Sequence, residues 1–326
     1  MRFLLCLTLF GLPTPGSAQI NPDNRLAHTY SIVARDPDTG EMGVAVQSHW
    51  FSVGSVVSWA EAGVGAIATQ SFVNVSFGPR GLELLKSGKS AQETLDALLA
   101  SDDGRDVRQV GIVDSKGNVA AWTGKSCIPA AGHFVGKNYS VEANLMLNDK
   151  VWPAMSRAFE SSKGPLAERM LAALEAAQEV GGDIRGRQSC AILVVKGTST
   201  GKLWEDRLID LRIEDHPTPI SEMKRLLRLF RAYEHMNKGD LAVEKNDIEG
   251  ANFHYGSAEQ MFPDNLEMKY WHAVALANAG KVGESLPLFK EIFKQDANWH
   301  TLTGRLPAVN LLIVTKADLE KILAQK

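Results

Sequence analysis

A threonine stands at the head of the first strand-like run of this chain, Thr29 to Arg35. If Thr29 were the first residue, its hydroxyl could attack a carbonyl while its own α-amino group, with a pKa near ~8, accepts the proton. In the full-length chain that nitrogen is an amide shared with His28. A cut between His28 and Thr29, by self-cleavage or by another protease, is therefore required. The alternative is an ordinary β-branched residue that favours a strand.

Two arginines in the segment GGDIRGRQS are candidates for holding a substrate. In an extended segment Arg185 and Arg187 project to one side, and Gly186 allows close approach of the backbone. Guanidinium groups bind carboxylates through paired hydrogen bonds, so the two arginines favour an acidic substrate. The alternative is a structural ion-pair network with Asp183 or Glu61.

The end of the following strand-like run carries Gln47, Ser48 and His49. Neighbouring residues on a strand face opposite sides, so Ser48 and His49 cannot pair directly without a bulge. Gln47 and His49 share a face, and His49 could polarise a substrate or line a pocket. A histidine with a structural role is the alternative.

Two further residues are candidates for supporting such a nucleophile. Glu61, in AEAGVGAIATQ, could tune the amine or orient water, and a surface carboxylate is the equally simple alternative. Asn144, in ANLMLND, is a candidate oxyanion donor, since amides of this kind often serve that purpose. Asn148 and Asp149 add polar lining to the same segment, and their alternative is turn formation.

The sequence indicates no metal, cofactor or nucleic acid. Eight histidines show no close pair at ligand spacing, and the three cysteines do not cluster. The GVGA segment lacks the lysine of a phosphate-binding loop. A net charge of −3 leaves no basic footprint for nucleic acid.

Alternating strands and helices must position these residues. The turn Asp36 to Gly40 joins two β-branched runs into a predicted hairpin. The other predicted elements are a helical run over 81–88, a helix opened by a capping box at Ser90 and Glu93, a hairpin from Arg108–Val113 and Asn118–Thr123, a helix over 165–180 and a buried strand over 189–195. Two β-sheets flanked by helices account for this order.

Several segments together resemble the bacterial domain of unknown function 1028 family: VARDPDTGEMGVAVQSHWFSVGSVV, AEAGVGAIATQ, FGPRGLELLKSG, RQVGIVDSKGNVAAWTG, ANLMLND and GGDIRGRQSCAILVV. The resemblance runs from about Thr29 to about Asp215. It implies a fold similar to N-terminal-nucleophile hydrolases, the αββα sandwich of proteasome subunits and asparaginase-like amidases. No activity is established for the family, so the resemblance implies a fold and a type of chemistry, attack by an N-terminal nucleophile such as Thr29, and not a particular reaction. Many relatives begin almost at this threonine, whereas this chain has an N-terminal extension.

The extension has the pattern of a signal peptide. Arg2 is followed by a short apolar run over 3–12, and Gly16, Ser17 and Ala18 are the small residues that a signal peptidase recognises. The run is too short to span a bilayer, which takes about 20 residues. The sequence therefore predicts a periplasmic or secreted protein. Cys127 and Cys190 remain after export, and two buried free thiols are favoured over a disulfide between them.

After a proline-broken linker the pattern becomes helical and repeats every 34 residues, the length of a tetratricopeptide repeat. The matched positions are Gly239 with Ala273, Ala251 with Ser285, Tyr255 with Phe289, and Ala258 with Ile292. The repeats span about 232–265 and 266–299, with flanking helices as caps. Their aromatic residues favour core over ligand groove; these are Tyr255, Tyr270, Trp271, His272 and Trp299.

The predicted organisation is a signal peptide over 1–18, an extension over 19–28, an αββα domain over 29–215, a linker over 216–221 and a helical repeat domain over 222–326. The predicted function is that of an exported N-terminal-nucleophile amidohydrolase acting on a small or peptide-like, acidic substrate. The alternative is a non-catalytic cell-envelope binding or scaffold protein whose helical repeats dock a protein or peptide. The sequence leaves homo-oligomerisation open.

Overall fold

The computed structural model describes residues 25–325, which form two antiparallel β-sheets with flanking helices and a C-terminal helical region. The predicted signal peptide lies outside the described residues. The strands are β1 (Arg25–Ala27), β2 (Thr29–Arg35), β3 (Met42–Ser48), β4 (Ser58–Glu61), β5 (Gly65–Val73), β6 (Arg108–Asp114), β7 (Val119–Thr123), β8 (Gly132–Gly136), β9 (Tyr139–Ala143), β10 (Ser189–Val195) and β11 (Arg207–Ile213). The α-helices are α1 (Gly54–Val57), α2 (Phe77–Lys86), α3 (Ala91–Ala100), α4 (Val151–Ser161), α5 (Leu166–Glu179), α6 (Leu203–Asp206), α7 (Pro219–Glu244), α8 (Ile248–Met261), α9 (Leu266–Asn278), α10 (Val282–Gln295), α11 (Ala297–Thr303) and α12 (Lys316–Leu323).

The two sheets lie face to face. The five-stranded sheet has the order β1-β5-β6-β7, with β4 also paired to β5, and the six-stranded sheet has the order β11-β10-β3-β2-β9-β8. Small and branched side chains fill much of the space between the sheets, among them Val33, Val44, Val46, Ala66, Ala68 and Val113. Helices α4 and α5 cover the outer face of the six-stranded sheet, and α2 and α3 cover that of the five-stranded sheet. The layers therefore run helices, sheet, sheet, helices.

The predicted hairpin of β2 and β3 is confirmed. Asp36 Oδ1 accepts hydrogen bonds from the backbone nitrogens of Asp38 (2.9 Å) and Thr39 (3.0 Å), and Gly40 takes the positive φ of +76° that the turn requires. The register that follows places Thr29 opposite Ser48. The first residue of one strand and the last of the next are thus neighbours.

Most other predicted elements are also confirmed. Ser90 and Glu93 form the capping box of α3, and the hairpin of β6 and β7 encloses the turn at Gly117. The predicted buried strand is β10, with every residue buried. The helical run expected over 81–88 begins earlier, at Phe77.

Helix α7 joins the sandwich to the C-terminal helices. It begins at Pro219, within the range expected to be linker, and Ile220, Met223 and Leu227 pack into the same core as α5 and β10. Farther along, Arg231 makes two hydrogen bonds to Glu168 of α5, at 2.8 and 2.9 Å. Successive helices from α7 to α10 then pack on one another.

Both cysteines of the described part of the chain are buried and free. Burial raises the pKa of the Cys127 and Cys190 thiols, which makes both of them poor nucleophiles. Within residues 25–325, no helix combines the length and apolar character needed to cross a bilayer.

Candidate active site

Thr29 lies at one end of the space between the two sheets. It is the first residue of β2, is fully buried, and its Oγ1 donates a hydrogen bond to the Ala27 carbonyl at 3.0 Å. The chain reaches it from β1, which belongs to the opposite sheet, so His28 is the crossing residue. The structure therefore shows Thr29 in the middle of a chain, covered by the residues that precede it.

The carbonyl oxygen of His28, on the peptide bond that precedes Thr29, has two donors. Ser48 Oγ donates to it at 2.6 Å and Arg185 Nη2 donates at 2.6 Å. A neutral and a charge-assisted donor on one carbonyl oxygen polarise that carbonyl and would stabilise negative charge on it. This is the arrangement of an oxyanion hole around the bond that must be cut to free Thr29.

Asn144 is brought to Thr29, but it does not contact the His28 carbonyl. Its backbone nitrogen donates to the Thr29 carbonyl at 3.1 Å, its Oδ1 lies 2.7 Å from His28 Nδ1, and its Nδ2 donates to Gln109 Oε1 at 2.8 Å. The oxyanion role of Asn144 is therefore not seen at this carbonyl and stays a prediction for a substrate. Because its amide contacts both residues of the bond, its place is that of a positioning residue.

A chain of buried amides continues from Asn144 along the five-stranded sheet. Gln70 Nε2 donates to Gln109 Oε1 at 2.7 Å, and Gln109 Nε2 donates to Thr123 Oγ1 at 2.8 Å. Thr123 Oγ1 in turn lies 2.8 Å from His133 Nδ1. Since buried polar groups are costly unless hydrogen-bonded, this network holds the wall of the site in one arrangement.

Arg185 and Arg187 do not act as a pair. Arg185 binds Asp183 through Nε (3.0 Å) and Nη2 (2.7 Å), whereas Arg187 lines a separate surface pocket between α5 and the start of α7. Gly186 between them has a φ of +121°, so the segment bends instead of extending. The prediction that the two arginine side chains project to one side is therefore wrong. Asp183 also balances the charge of Arg185, the charge that was expected to attract an acidic substrate.

The three remaining predicted residues lie outside the contacts around Thr29. Gln47 is fully buried opposite Tyr30 and Cys190, on the face that packs against the helices, and its amide has no hydrogen-bond partner within the described residues. His49 is exposed just beyond β3, so it does not share a buried face with Gln47. Its backbone nitrogen donates to Asp183 Oδ2 at 3.2 Å, which places His49 at the rim of the site.

Glu61 is remote from the site. It ends β4 opposite Gly65 and pairs with Lys86 at 2.5 Å, whereas Thr29 lies at the other end of β5, beside Gln70. Gln70 lies five residue steps along the strand from Gly65, about 17 Å at ~3.3 Å per residue. The structure therefore does not bring Glu61 to Thr29, and its ion pair with Lys86 favours the alternative of a surface carboxylate over the predicted catalytic role.

Two titratable groups in the site have shifted pKa values. Burial raises the pKa of Glu142 to about 7, although hydrogen bonds from Ser140 and Ser31 act in the opposite direction. Burial lowers the pKa of His28, and its hydrogen bond with Asn144 opposes this. His28 is therefore a neutral ring near pH 7, and Glu142 is a carboxyl group that titrates there.

The sequence predictions missed Ser48, Asp183, Gln70 and Gln109 as site residues. A signal for Ser48 was present, because the predicted hairpin register pairs it with Thr29. In the part of the chain that the structure describes, no group of three or more His, Cys, Asp or Glu side chains could hold a metal ion.

Comparisons with known proteins address the same region. A family model, "Family of unknown function (DUF1028)", matches residues 29–223. The crystal structure of protein SPO2555 from Silicibacter pomeroyi, described by the same family model, is similar with a TM-score of 0.56 and 31% identity over 61% of this chain and 84% of that chain. Anbu (ancestral beta-subunit) from Yersinia bercovieri gives a TM-score of 0.31 and 14% identity over 60% of this chain and 92% of that chain, too low for an argument. No curated protein matches.

Proposed function

This chain belongs to the DUF1028 family, and from that premise we propose that it is an exported amide hydrolase of the N-terminal-nucleophile type with Thr29 as its nucleophile. The observation that carries the proposal is the pair of donors, Ser48 Oγ and Arg185 Nη2, on the carbonyl directly before Thr29. The order of layers around this site, helices on both sides of two antiparallel sheets, supports it. The family description itself supplies no activity.

The first step is removal of the residues that precede Thr29. Thr29 Oγ1 attacks the carbonyl carbon of His28 through a five-membered ring, and negative charge on the carbonyl oxygen is stabilised by Ser48 and Arg185. The bond from this carbon to the Thr29 nitrogen breaks, the hydroxyl proton moves to that nitrogen, and an ester remains. Water then hydrolyses the ester, which restores the hydroxyl and leaves His28 with a carboxyl group.

The same groups then act on a substrate. The freed amine of Thr29, with a pKa near ~8, accepts the proton of its hydroxyl as Oγ1 attacks the substrate carbonyl. Ser48 and Arg185 receive the substrate oxyanion where the His28 oxygen now lies, and Asn144 holds the Thr29 backbone. The C–N bond of the substrate breaks, and its amine leaves with the proton that the α-amino group accepted. Water then hydrolyses the acyl ester, which releases the acid and restores the Thr29 hydroxyl. The substrate is a small or peptide-like amide.

Hydrolysis can be tested on a full chain whose residues before Thr29 are replaced by a leader that a specific protease removes. We expect the released protein to hydrolyse members of a panel of peptide amides and anilides. Thr29→Ala should remove this turnover, and Thr29→Ser, which keeps a hydroxyl, should retain part of it. Undiminished turnover by Thr29→Ala would show that another group is the nucleophile. The intact mass of protein recovered from its native host reports whether the chain starts at Gln19 or at Thr29.

A second candidate function is a non-catalytic cell-envelope protein whose C-terminal helices form tetratricopeptide-like repeats and bind a protein or peptide. Two observations favour it. Tyr255 and Phe289, one 34-residue period apart, are both buried, and the Tyr255 ring packs on Gly239. Ile248 and Ile313, 48% and 69% exposed, line one cavity with Ala251 and Ala275, as expected for an apolar docking surface. A native chain that starts at Gln19 favours this function.

A further inference from the structure

The residues before Thr29 are seated as an additional strand. Strand β1 pairs antiparallel with the end of β5, with Arg25 opposite Val73, Leu26 opposite Phe72 and Ala27 opposite Ser71. Antiparallel addition of an extended segment to a sheet edge is a common way of binding peptides, because the backbone supplies the affinity and alternate side chains supply the specificity. Removing β1 leaves this edge of β5 open.

The side chain of His28 occupies a formed pocket. Only 3% of the residue is exposed, its ring meets the Phe72 ring edge-on with centroids 5.3 Å apart, and Nδ1 lies 2.7 Å from Asn144 Oδ1. The carbonyl of the same residue lies between Ser48 and Arg185. The segment before Thr29 is thus bound at three points, as a peptide ligand would be: through the backbone of β1, the side chain of His28 and the carbonyl of His28.

From this arrangement we propose that residues 25–28 occupy the groove that receives the acyl side of the substrate. Once the chain is cut, the same groove binds extended peptides that carry a neutral ring, imidazole or aromatic, directly before the bond to be cleaved. The acyl-side groove is the β5 edge at Ser71–Val73 together with the pocket formed by Phe72 and Asn144. The inference rests on the proposed function, since it takes Thr29 as the attacking residue. In the uncut chain the groove is filled by the protein's own residues.

The pocket discriminates against charged side chains. His28 lies there as a neutral ring, because burial lowers its pKa. An aspartate at this position would be removed from water beside the oxygen of Asn144, the atom that lies 2.7 Å from the ring nitrogen. The Arg185 guanidinium lies nearby, but it already binds Asp183 at 2.7 Å and the carbonyl oxygen of His28 at 2.6 Å. A buried aspartate would therefore gain little compensation for its lost hydration, so such a peptide binds more weakly.

The proposal is tested by peptide binding to a Thr29→Ala protein that starts at residue 29, measured by calorimetry. The family match begins at this residue, so the truncation removes none of the matched segment. The probe is acetyl-Arg-Leu-Ala-His with a free carboxylate, the sequence of residues 25–28. We expect it to bind, the same peptide ending in Phe to bind comparably, and the one ending in Asp to bind at least about tenfold more weakly.

Two comparisons complete the test. The uncut full chain should not bind the peptide, because β1 fills its groove. Phe72→Ala should weaken binding about tenfold, whereas Phe253→Ala, the same change on a 65% exposed residue of α8, should not. Equal binding of the His and Asp peptides, no binding at all, or binding to the uncut chain would overturn the proposal. Because the protein used cannot turn over, these results are separate from the presence or absence of hydrolysis.

Discussion

The space between the two sheets has an apolar end and a polar end, although the same strands form both. At the apolar end Val33, Val44 and Val46 face Ala66 and Val113, the packing that stabilises a sandwich. At the polar end the fully buried residues include Thr29, Ser31, Ser48, Gln70, Gln109, Glu142 and Asn144.

This contrast supports placing the proposed chemistry at the polar end. Burying a hydroxyl, amide or carboxyl group costs free energy, which hydrogen bonds only partly offset, so seven such residues are a poor way to stabilise a core. Stability therefore resides in the apolar end, and the polar end is where we propose that the chemistry takes place. Substitutions at each end test this division.

The largest effect is expected from the oxyanion donors. Ser48→Ala should slow appearance of a chain starting at Thr29 by about 10²–10³-fold, the usual effect of losing one such donor. Mass spectrometry of purified full-length protein over time measures this. Ser55→Ala, an exposed serine in α1, is the matched control and should leave the rate unchanged. Equal rates for the two variants would show that the cut does not depend on Ser48.

A change at the apolar end should affect stability and not chemistry. Met42 is fully buried in the apolar cluster, and Met42→Ala should lower the free energy of unfolding by about 2–5 kcal/mol. Denaturant titration measures this, and the rate of the cut before Thr29 should not change. Leu203→Ala, on a 75% exposed residue, controls for the loss of an apolar side chain. A slower cut without a loss of stability would contradict the division between the two ends.

A smaller effect should appear in the pH dependence of stability. Glu142 has its pKa raised from 4.5 to about 7 in the folded state, so its favourable contribution is fully present below pH 4.5 and is lost as pH rises towards 7. The loss is on the order of 3 kcal/mol at about 1.4 kcal/mol per pKa unit. Glu142→Gln should flatten the dependence of the free energy of unfolding on pH between these values, and it should stabilise the protein at pH 8. Glu179→Gln, on the surface of α5, is the control, and identical curves for Glu142→Gln and the parent chain would contradict this expectation.

Local patterns predicted the parts of the fold that local physics determines. The turn chemistry at Asp36 and Gly40 predicted the hairpin, and the apolar run over 189–195 predicted β10. The register of the same hairpin, extended to the ends of its strands, places Ser48 opposite Thr29.

The rest of the site depends on contacts between segments distant in the chain. Asn144 reaches Thr29 because β9 pairs with β2, and no short pattern specifies that pairing. An extended segment would place Arg185 and Arg187 on one side. The positive φ of Gly186, which bends the segment, cannot be read from the sequence. The carboxylate of Glu61 beside a small-residue stretch indicated a supporting role, but β4, which carries it, ends at the far end of the sheet.

The two buried thiols described above have a practical consequence. A chain that starts at Thr29 carries only Cys127, behind the five-stranded sheet near Arg108, and Cys190, in the core of the six-stranded sheet. Folding then demands no oxidant, and reductant can be present throughout purification. Pulsed alkylation of the two positions would report separately how often each half of the sandwich opens.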